Sequence, residues 1–413
     1  MKIFPCVIGL GYVGLPVFLR LKSKFNTVGF DIDKNRIKSL KKRIDINNEF
    51  NHSQLVLKNN SFLTDNKQNI KKCNFFIVTV PTPVFKNNLP NLQPLISASK
   101  IISSVLKKGD IVFYESTVYP GITDYLTTNF LEKNNFKNNV DFFVGYSPER
   151  INPGDKKHSI ENISKIVACK TNDKKIIKII FRIYNQISKT IVFTNKVKEA
   201  ELAKALENTQ RDLNIALMNE MFIFCEKLKI DFKLVRDLAS TKWNFLNFSP
   251  GLVGGHCLPV DPYYLSYLAK KNNFNLKTIV AARKVNNYMS KFIKNFLNVR
   301  LLKIGKTINN AKILIAGLTY KENVSDIRNS ISLDIFNSLV KKNKNVYGLD
   351  HFIPDSYIKK NKNLFKNYVN KKYDAVIFLV KHDKFKKLFI KLKRQNLLVI
   401  DPFNFFKEKL LNI

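Results

Sequence analysis

The segment Phe4-Pro5-Cys6-Val7-Ile8-Gly9-Leu10-Gly11-Tyr12-Val13-Gly14 decides the fold, because a short apolar strand runs directly into a glycine-rich turn. The glycines have the G-x-G-x-x-G spacing, which lets the backbone approach a pyrophosphate at the N-terminus of the following helix. The next predicted strand ends in Gly29-Phe30-Asp31, about 20 residues on, where a carboxylate accepts the ribose hydroxyls of adenosine. Asp31 would repel a 2′-phosphate, so the pattern favours NAD over NADP. The alternative is a plain strand-to-helix turn with Asp31 as a helix cap.

Short apolar runs alternate with polar helical stretches in both halves of the chain, which predicts parallel sheets covered on both faces. The predicted strands are residues 4–8, 27–30, 75–79, 111–114, 142–145, 191–193, 313–316, 345–349, 375–380 and 397–400. The asparagine- and lysine-rich residues 133–139 and 359–367 are predicted to be loops.

The centre of the chain has no strand pattern but has helical apolar spacing. Leu202, Leu206 and Leu213 fall on one face of a long helix and are predicted to face the core. The predicted fold is therefore α/β, with two doubly wound Rossmann-like domains joined by a helical central domain with a long connecting helix. The predicted domains are residues 1–195, 196–300 and 301–413.

Composition restricts the class of protein. The 413 residues are enough for several domains, and no segment approaches the roughly 20 apolar residues that span a bilayer. The five cysteines contain no C-x-x-C pair, so a reducing cytoplasm is expected and neither a disulfide framework nor a metal site is predicted. A formal charge of +38 allows polyanion binding, but lysine is spread along the whole chain, so no dedicated nucleic-acid function is predicted.

Polar residues follow three of the predicted strands, at the edge where doubly wound sheets bind ligands. Val80-Pro81-Thr82-Pro83 and Tyr114-Glu115-Ser116-Thr117 are expected to line the nicotinamide half, although simple turn chemistry explains them equally well. Glu149 and Arg150 lie in the third of these loops. Glu149 is a candidate general base and Arg150 a candidate anion ligand, and a surface ion pair is the alternative.

Gly254-Gly255-His256-Cys257-Leu258-Pro259-Val260-Asp261 is the candidate nucleophile segment. The paired glycines are expected to let a substrate approach the Cys257 sulfur, and Asp261 can reach back to the same place. His256 is predicted to be structural, because adjacent side chains rarely exchange a proton.

The long helix adds a polar stripe. Lys204, Asn208 and Arg211 lie within about 60° of one another around the helix axis. A solvated helix face is one explanation, and donors for a developing oxyanion are the other. In the last domain, Tyr320-Lys321 follows a strand and Arg328 precedes the next helix, where both cations can meet phosphate.

Together these segments resemble, from end to end, the UDP-glucose/GDP-mannose dehydrogenase family. Tyr146-Ser147-Pro148-Glu149-Arg150-Ile151-Asn152-Pro153-Gly154-Asp155, Glu207-Asn208-Thr209-Gln210-Arg211-Asp212 and Lys242-Trp243-Asn244-Phe245 look most like the Vi-antigen and O-antigen UDP-N-acetylhexosamine 6-dehydrogenases. UDP-glucose enzymes usually lack the Glu-Arg pair.

The resemblance implies a role for each matching residue. Cys257 would be the nucleophile, Lys204 and Asn208 would stabilise oxyanions, Glu149 would be the base, and Thr117 with Asp261 would order water. The implied NAD contacts are Gly9, Gly11, Tyr12, Val13, Gly14, Asp31, Arg36, Thr82, Ser116 and Thr117. The implied UDP-sugar contacts are Glu149, Arg150, Lys204, Asn208, Arg211, Phe245, Phe248, Gly251, Gly254, Tyr320, Lys321 and Arg328. The family also implies a homodimer through the central helical domain.

The implied activity is oxidation of UDP-GlcNAc or UDP-GalNAc to the uronic acid, for surface polysaccharide synthesis. Alcohol to acid removes four electrons and each NAD accepts two, so two NAD are consumed per sugar. UDP-ManNAc or UDP-glucose remains an alternative substrate. A catalytically degenerate nucleotide-sugar binder is a further alternative, since Pro259 stands near Cys257 where relatives carry Gly, and proline constrains the turn.

Overall fold

The structure, a computed structural model, describes residues 2–58, 60–133, 135–151 and 159–406. The chain divides into two compact units, Met1–Glu207 with Tyr263–Phe274, and Asn208–Pro262 with Asn275–Ile413. In the described ranges, no helix combines the length and the apolar character needed to cross a bilayer.

The first unit is built on an eight-stranded sheet with the order β3-β2-β1-β4-β5-β6-β7-β8. Neighbouring strands are parallel except for β6 and β7, which run antiparallel. The strands are β1 (Pro5–Ile8), β2 (Val28–Phe30), β3 (Phe62–Thr64), β4 (Phe75–Val78), β5 (Ile111–Tyr114), β6 (Phe143–Tyr146), β7 (Lys165–Cys169) and β8 (Ile191–Thr194).

The second unit contains a five-stranded parallel sheet with the order β11-β10-β9-β12-β13. Its strands are β9 (Ile313–Ala316), β10 (Val346–Leu349), β11 (Leu364–Phe365), β12 (Ala375–Phe378) and β13 (Leu398–Ile400). Every predicted strand is present, with ends that shift by at most two residues. The predictions missed β3, β7 and β11, and residues 359–367 are not a continuous loop, because β11 lies inside them.

Helices cover both sheets. They are α1 (Gly14–Leu21), α2 (Lys34–Lys41), α3 (Gln93–Ser103), α4 (Ile122–Leu126), α5 (Lys174–Tyr184), α6 (Val197–Leu228), α7 (Phe232–Ala239), α8 (Asp261–Lys271), α9 (Lys277–Leu302), α10 (Ile331–Val340), α11 (Asp355–Ile358) and α12 (Phe385–Lys393).

Alternate strand residues of the first sheet enter two separate cores. Val7 and Ile77 pack with α1, α2 and α5 on one face. Ile8 and Val78 pack with α3 and α4 on the other. A parallel sheet with both faces buried needs strands that are apolar on both sides, which explains the continuous apolar runs of the sequence. The second sheet is likewise covered on both faces, with α9 and α10 on one side and α12 on the other. The α/β doubly wound prediction and the long helix are confirmed.

The predicted core face of the long helix is wrong. Leu202 and Leu206 of α6 are 45% and 59% exposed, and Leu213 is only partly buried. The buried face carries polar groups such as Glu201, whose carboxylate accepts hydrogen bonds from the backbone N–H groups of Gly121 and Thr123. These distant partners satisfy the buried polar groups, so burial on this helix does not follow hydropathy.

Candidate active site

The turn between β1 and α1 is held by Asp31, at the end of β2. The Leu10 N–H donates to Asp31 Oδ2 at 2.7 Å, and the Asp33 N–H donates to Oδ1 at 2.9 Å. The Gly9 N–H donates to the Phe30 carbonyl at 2.8 Å. The carboxylate therefore stands beside the glycine loop, where the sequence predicts that it meets a ribose.

The glycines of this loop serve two different purposes. A Cβ on Gly14 would overlap the Gly9 carbonyl oxygen and Thr79 Oγ1, so Gly14 is required for close packing of α1 on the loop. Among the described residues, no atom lies within 4 Å of a Cβ built on Gly11. In the same part of the chain, no side chain caps the N-terminus of α1, which begins directly after Tyr12-Val13. The open space at Gly11, together with uncapped helical N–H groups, fits the diphosphate of a dinucleotide.

Arg36 braces this loop from α2. Its Nε donates to the Leu10 carbonyl at 2.8 Å, and its Nη1 pairs with Asp45 at 2.7 Å. The side chain is 5% exposed. Arg36 thus fixes the loop that would hold NAD.

The loops after β4 and β5 meet through Ser116, whose hydroxyl donates to the Val80 carbonyl. Tyr264, which the sequence did not single out, donates from its hydroxyl towards the carbonyls of Thr82 and Pro83 at 3.1 and 3.2 Å. Thr117 lies next to Ser116 and is partly buried. The predicted nicotinamide-side residues therefore share one edge of the first sheet.

Glu149 and Arg150 turn to different partners. Glu149 lies near the Lys165 ammonium, with 3.5 Å between Oε2 and Nζ, whereas Arg150 pairs with Glu207 of α6 and donates to the Ser164 carbonyl at 3.0 Å. The two residues are therefore not an ion pair with each other. The remaining residues of this motif, 152–155, lie outside the described residues.

The side chains of the polar stripe of α6 become more exposed along the helix. Lys204 is buried at 6% exposure, Asn208 is partly buried, and Arg211 is exposed. Among the described residues, none makes a hydrogen bond or ion pair with the Lys204 ammonium. A buried cation of this kind is stabilised by an anion.

Cys257 is the one exposed cysteine, and Cys6, Cys73, Cys169 and Cys225 are buried. Its carbonyl accepts hydrogen bonds from the N–H groups of Val260 at 3.0 Å and Asp261 at 2.9 Å. These two bonds close the turn, and neither needs a donor at Pro259. Asp261 is 1% exposed and accepts a hydrogen bond from the Asn208 side-chain amide. The second unit thus brings together Asn208, Asp261 and the Cys257 turn.

The paired glycines have a packing role that the sequence analysis did not predict. A Cβ on Gly255 would approach the Tyr320 ring at 2.8 Å, and one on Gly254 would meet the Asn329 carbonyl at 2.5 Å. The Asn329 amide donates to the Gly255 carbonyl at 3.0 Å. Gly254 and Gly255 therefore let the cysteine loop pack against residues 320–329.

His256 is tied to the same segment. Its Nε2 lies 3.1 Å from Asp326 Oδ2, and Arg328 binds the same carboxylate at 2.7 Å. Burial alone raises the pKa of Asp326, but the hydrogen bonds from His256 and Arg328 outweigh it and hold that pKa well below its usual range. This agrees with the structural role predicted for His256. It also shows that the Arg328 guanidinium is already engaged.

The loop after β9, which carries Tyr320 and Lys321, is fixed by residues that sequence reasoning missed. Asp350 accepts the N–H groups of Leu318 and Thr319 at 2.7 and 2.9 Å. His382 lies 3.0 Å from the same carboxylate. The position of Asp350 at the end of β10 mirrors that of Asp31 at the end of β2, which was the available signal.

The strip before the cysteine loop, residues 245–251, is anchored by Asn219 of α6, another residue that the sequence did not single out. Its side-chain amide bonds both to the Gly251 N–H at 2.8 Å and to the Gly251 carbonyl at 3.1 Å. Phe245 and Phe248 pack against the apolar core of the second unit. The backbone of this strip is thus held in place, while the two rings are partly buried.

Comparisons with known proteins agree with this arrangement. Family models described as the NAD binding, central and UDP binding domains of the UDP-glucose/GDP-mannose dehydrogenase family match residues 1–188, 198–288 and 314–408. Protein CapL of Staphylococcus aureus is 42% identical over 98% of this chain and 97% of its own length.

Two further proteins are similar to this chain, one in sequence and one in structure. A UDP-N-acetyl-D-glucosamine 6-dehydrogenase of Salmonella typhi is 42% identical over 92% of this chain and 90% of its own. The structure of a UDP-D-ManNAc dehydrogenase from Pyrococcus horikoshii superimposes with a TM-score of 0.86 at 29% identity, covering 99% of this chain and 97% of that one. With its glycine loop, its cysteine turn and matches to all three family domains, this chain belongs to the UDP-glucose/GDP-mannose dehydrogenase family.

Proposed function

We propose that the protein is an NAD-dependent UDP-N-acetylhexosamine 6-dehydrogenase that oxidises UDP-GlcNAc or UDP-GalNAc to the uronic acid for surface polysaccharide synthesis. The observation that carries this proposal is the exposed Cys257 in a turn closed by Asp261, which Asn208 binds. The 42% identity to a UDP-N-acetyl-D-glucosamine 6-dehydrogenase supports the N-acetylated substrate.

The proposed chemistry assigns one task to each residue. The glycine loop, with Asp31, would hold NAD, which would supply the acceptor for the hydride that leaves the sugar carbon. After the first oxidation, the Cys257 thiolate adds to the aldehyde as a thiohemiacetal. Departure of a second hydride, for which a second NAD would be the acceptor, gives a thioester. Lys204 and Asn208 stabilise the negative charge that develops on the substrate oxygen.

Hydrolysis of the thioester requires an activated water. Thr117 and Asp261 orient this water, and Glu149 accepts its proton. The oxygen of the water bonds to the carbonyl carbon, and the carbon–sulfur bond then breaks with its electron pair returning to Cys257. In this proposal Lys204 also supplies a positive charge that favours the thiolate over the thiol.

We expect the purified protein to form two NADH for each UDP-GlcNAc or UDP-GalNAc consumed. An assay of NADH at 340 nm across UDP-GlcNAc, UDP-GalNAc, UDP-ManNAc and UDP-glucose, with the uronic acid identified by mass spectrometry, measures this. Turnover of UDP-glucose or UDP-ManNAc alone would overturn the substrate assignment. Binding of UDP-sugars without NADH formation would favour the degenerate homologue.

The predicted division into residues 1–195, 196–300 and 301–413 stays part of the proposal, supported by family matches to residues 1–188, 198–288 and 314–408. A cytoplasmic location is also proposed. It is supported by the cysteine spacing, since the five cysteines lie far apart in the sequence and contain no C-x-x-C pair.

The proposed homodimer assembles through the α6 apolar stripe, which consists of Leu202, Leu206, Leu217, Phe224 and Leu228. Each of these side chains is at least 45% exposed, and they lie within about 80° of one another around the helix. A continuous apolar stripe on a helix surface marks an interface with another protein.

Leu206→Glu is therefore expected to convert the dimer to a monomer, because it places a charge in the middle of the stripe. Light scattering after gel filtration measures the mass of each species. Ile390→Glu, on an exposed position of α12, is the matched control and should leave the mass unchanged. A wild-type monomer, or an unchanged dimer in Leu206→Glu, would contradict this interface.

A further inference from the structure

Three charged side chains meet at one edge of the first sheet. Glu115 directly follows β5, and Glu149 lies beyond the end of β6. Because β7 runs antiparallel to β6, its first residue, Lys165, comes to the edge where β5 and β6 end. The register Tyr146 with Ala168, continued past the strand end, sets Lys165 opposite Glu149.

The Lys165 ammonium is shared between the two carboxylates. Its Nζ lies 2.8 Å from Glu115 Oε2, 3.5 Å from Glu149 Oε2 and 3.4 Å from the Pro148 carbonyl. An ammonium has three donors, and these three contacts use all of them. The second oxygen of Glu149 accepts from the Ile151 N–H. Glu149 is thus held from two sides.

Burial strengthens the electrostatic interactions among Lys165, Glu115 and Glu149. Lys165 is 4% exposed, Glu115 is 0% and Glu149 is 9%. Burial raises the pKa of Glu115; the Lys165 ammonium opposes this rise and Glu149 adds to it. Burial alone lowers the pKa of Lys165, but the two carboxylates outweigh it and raise that pKa above its usual value. The cation therefore stays charged, and the two carboxylates compete for it.

None of the other described groups around Glu115, Glu149 and Lys165 supplies a second positive charge to the carboxylates. Tyr184 of α5 faces Glu115 and lies near Cys169, and burial raises its pKa, so that it stays a neutral phenol. Burial likewise raises the pKa of Cys169, to about 12. The Arg150 guanidinium, next to Glu149 in the chain, pairs with Glu207. One ammonium thus serves two carboxylates.

We propose that Lys165 is a positioning residue whose ammonium, shared with Glu115, orients the Glu149 carboxylate towards the water from which it takes a proton. This inference rests on the proposed function, in which Glu149 is the general base of thioester hydrolysis. During that step the proton of the water passes to Glu149. Lys165 keeps its three protons and shifts towards Glu115, so the sharing lets Glu149 gain a proton without leaving a buried cation unpaired.

Two substitutions move the acid limb of the pH profile of kcat in opposite directions. Lys165→Met leaves two buried carboxylates without a cation, so Glu149 holds its proton more tightly and the limb moves up by about one pH unit or more. In Glu115→Gln, Lys165 pairs with Glu149 alone, so the acid limb moves to lower pH. The plateau of kcat also falls, because Glu149 is then a weaker base. Lys165→Arg keeps the charge and should restore most of the rate.

The experiment compares kcat and KM for the UDP-sugar from pH 5 to 9 in the wild type and these variants. At neutral pH, Lys165→Met should lower kcat about tenfold or more while KM changes less than about threefold. Lys170→Met, at the exposed opposite end of β7, is the matched control and should retain the wild-type profile. A merely structural lysine would shift both limbs alike or not at all.

Infrared difference spectra of the protonated carboxyl band against pH give a readout that does not depend on turnover. The Glu149→Gln variant identifies the band of Glu149. Opposite shifts of this band in Lys165→Met and Glu115→Gln support the inference, and unchanged titration in both overturns it. A wild type that turns over no UDP-sugar but shows these shifts would overturn the proposed function alone. If Lys165→Met fails to fold, Glu115→Gln and Lys165→Arg still decide the result.

Discussion

Cys257→Ala is expected to lower kcat for formation of the uronic acid by roughly 10³-fold or more, because it removes the nucleophile that carries the thioester. The other four cysteines are buried and cannot take its place. Formation of NADH and of the uronic acid, followed separately, should both fall, with no more than one NADH released per sugar in any residual reaction. Thermal unfolding should be almost unchanged, because an exposed side chain contributes little packing.

Cys225→Ala is the matched control for this experiment. It removes a thiol that is 4% exposed in the apolar core of the second unit, so it is expected to cost some stability and to leave kcat near the wild-type value. Retention of more than a tenth of the wild-type rate in Cys257→Ala would show that the reaction does not pass through this sulfur. The degenerate-homologue alternative predicts a different result, in which both variants and the wild type bind the UDP-sugar equally and none of them forms NADH.

Gly14→Ala is expected to destabilise the first unit by about 3 kcal/mol or more and to abolish measurable NAD binding. The added methyl group would overlap the Gly9 carbonyl oxygen and Thr79 Oγ1, which are themselves hydrogen-bonded at 2.7 Å. Backbone and a bonded hydroxyl cannot move aside without opening the loop. Thermal unfolding and titration calorimetry with NAD measure the two effects.

Gly11→Ala separates stability from binding. No atom of the residues that the structure describes lies within 4 Å of the added Cβ, so the free energy of unfolding should change by no more than about 0.5 kcal/mol. NAD affinity should nevertheless fall, because the methyl group occupies the space into which the diphosphate fits. Unchanged NAD affinity in Gly11→Ala would show that the diphosphate lies elsewhere, and a stable Gly14→Ala would contradict the packing described for α1.

The glycine loop could be predicted from the sequence because every determinant is local. The strand, the glycine spacing and Asp31 lie within about 30 residues, and their order fixes the β-α-β unit. Strands such as β4 and β5 were found because a buried parallel strand is apolar on both faces. By contrast, β3 spans only Phe62–Thr64 and β11 only Leu364–Phe365, which is too short for a periodic pattern.

The buried face of α6 could not be predicted, because its partners come from distant parts of the chain. Asp212 is buried against Arg283, and Asn219 against Asn286, both far along the sequence. From hydropathy, such polar residues were predicted to face solvent and the leucines to face the core. Lys165 was missed for the same reason, since its carboxylate partners follow two other strands. The cysteine segment stood out in the sequence, but the packing role of Gly254 could be seen only from the position of Asn329.

The contact between the cysteine loop and residues 320–329 has a consequence for biosynthesis. During translation, Cys257 leaves the ribosome well before Tyr320 and Asn329 exist, so the loop first emerges without the groups on which Gly254 and Gly255 rest. The loop can reach its final packing only after residues 320–329 have been synthesised. A nascent or truncated chain that ends before residue 320 therefore carries the Cys257 thiol on a loop that lacks these packing partners.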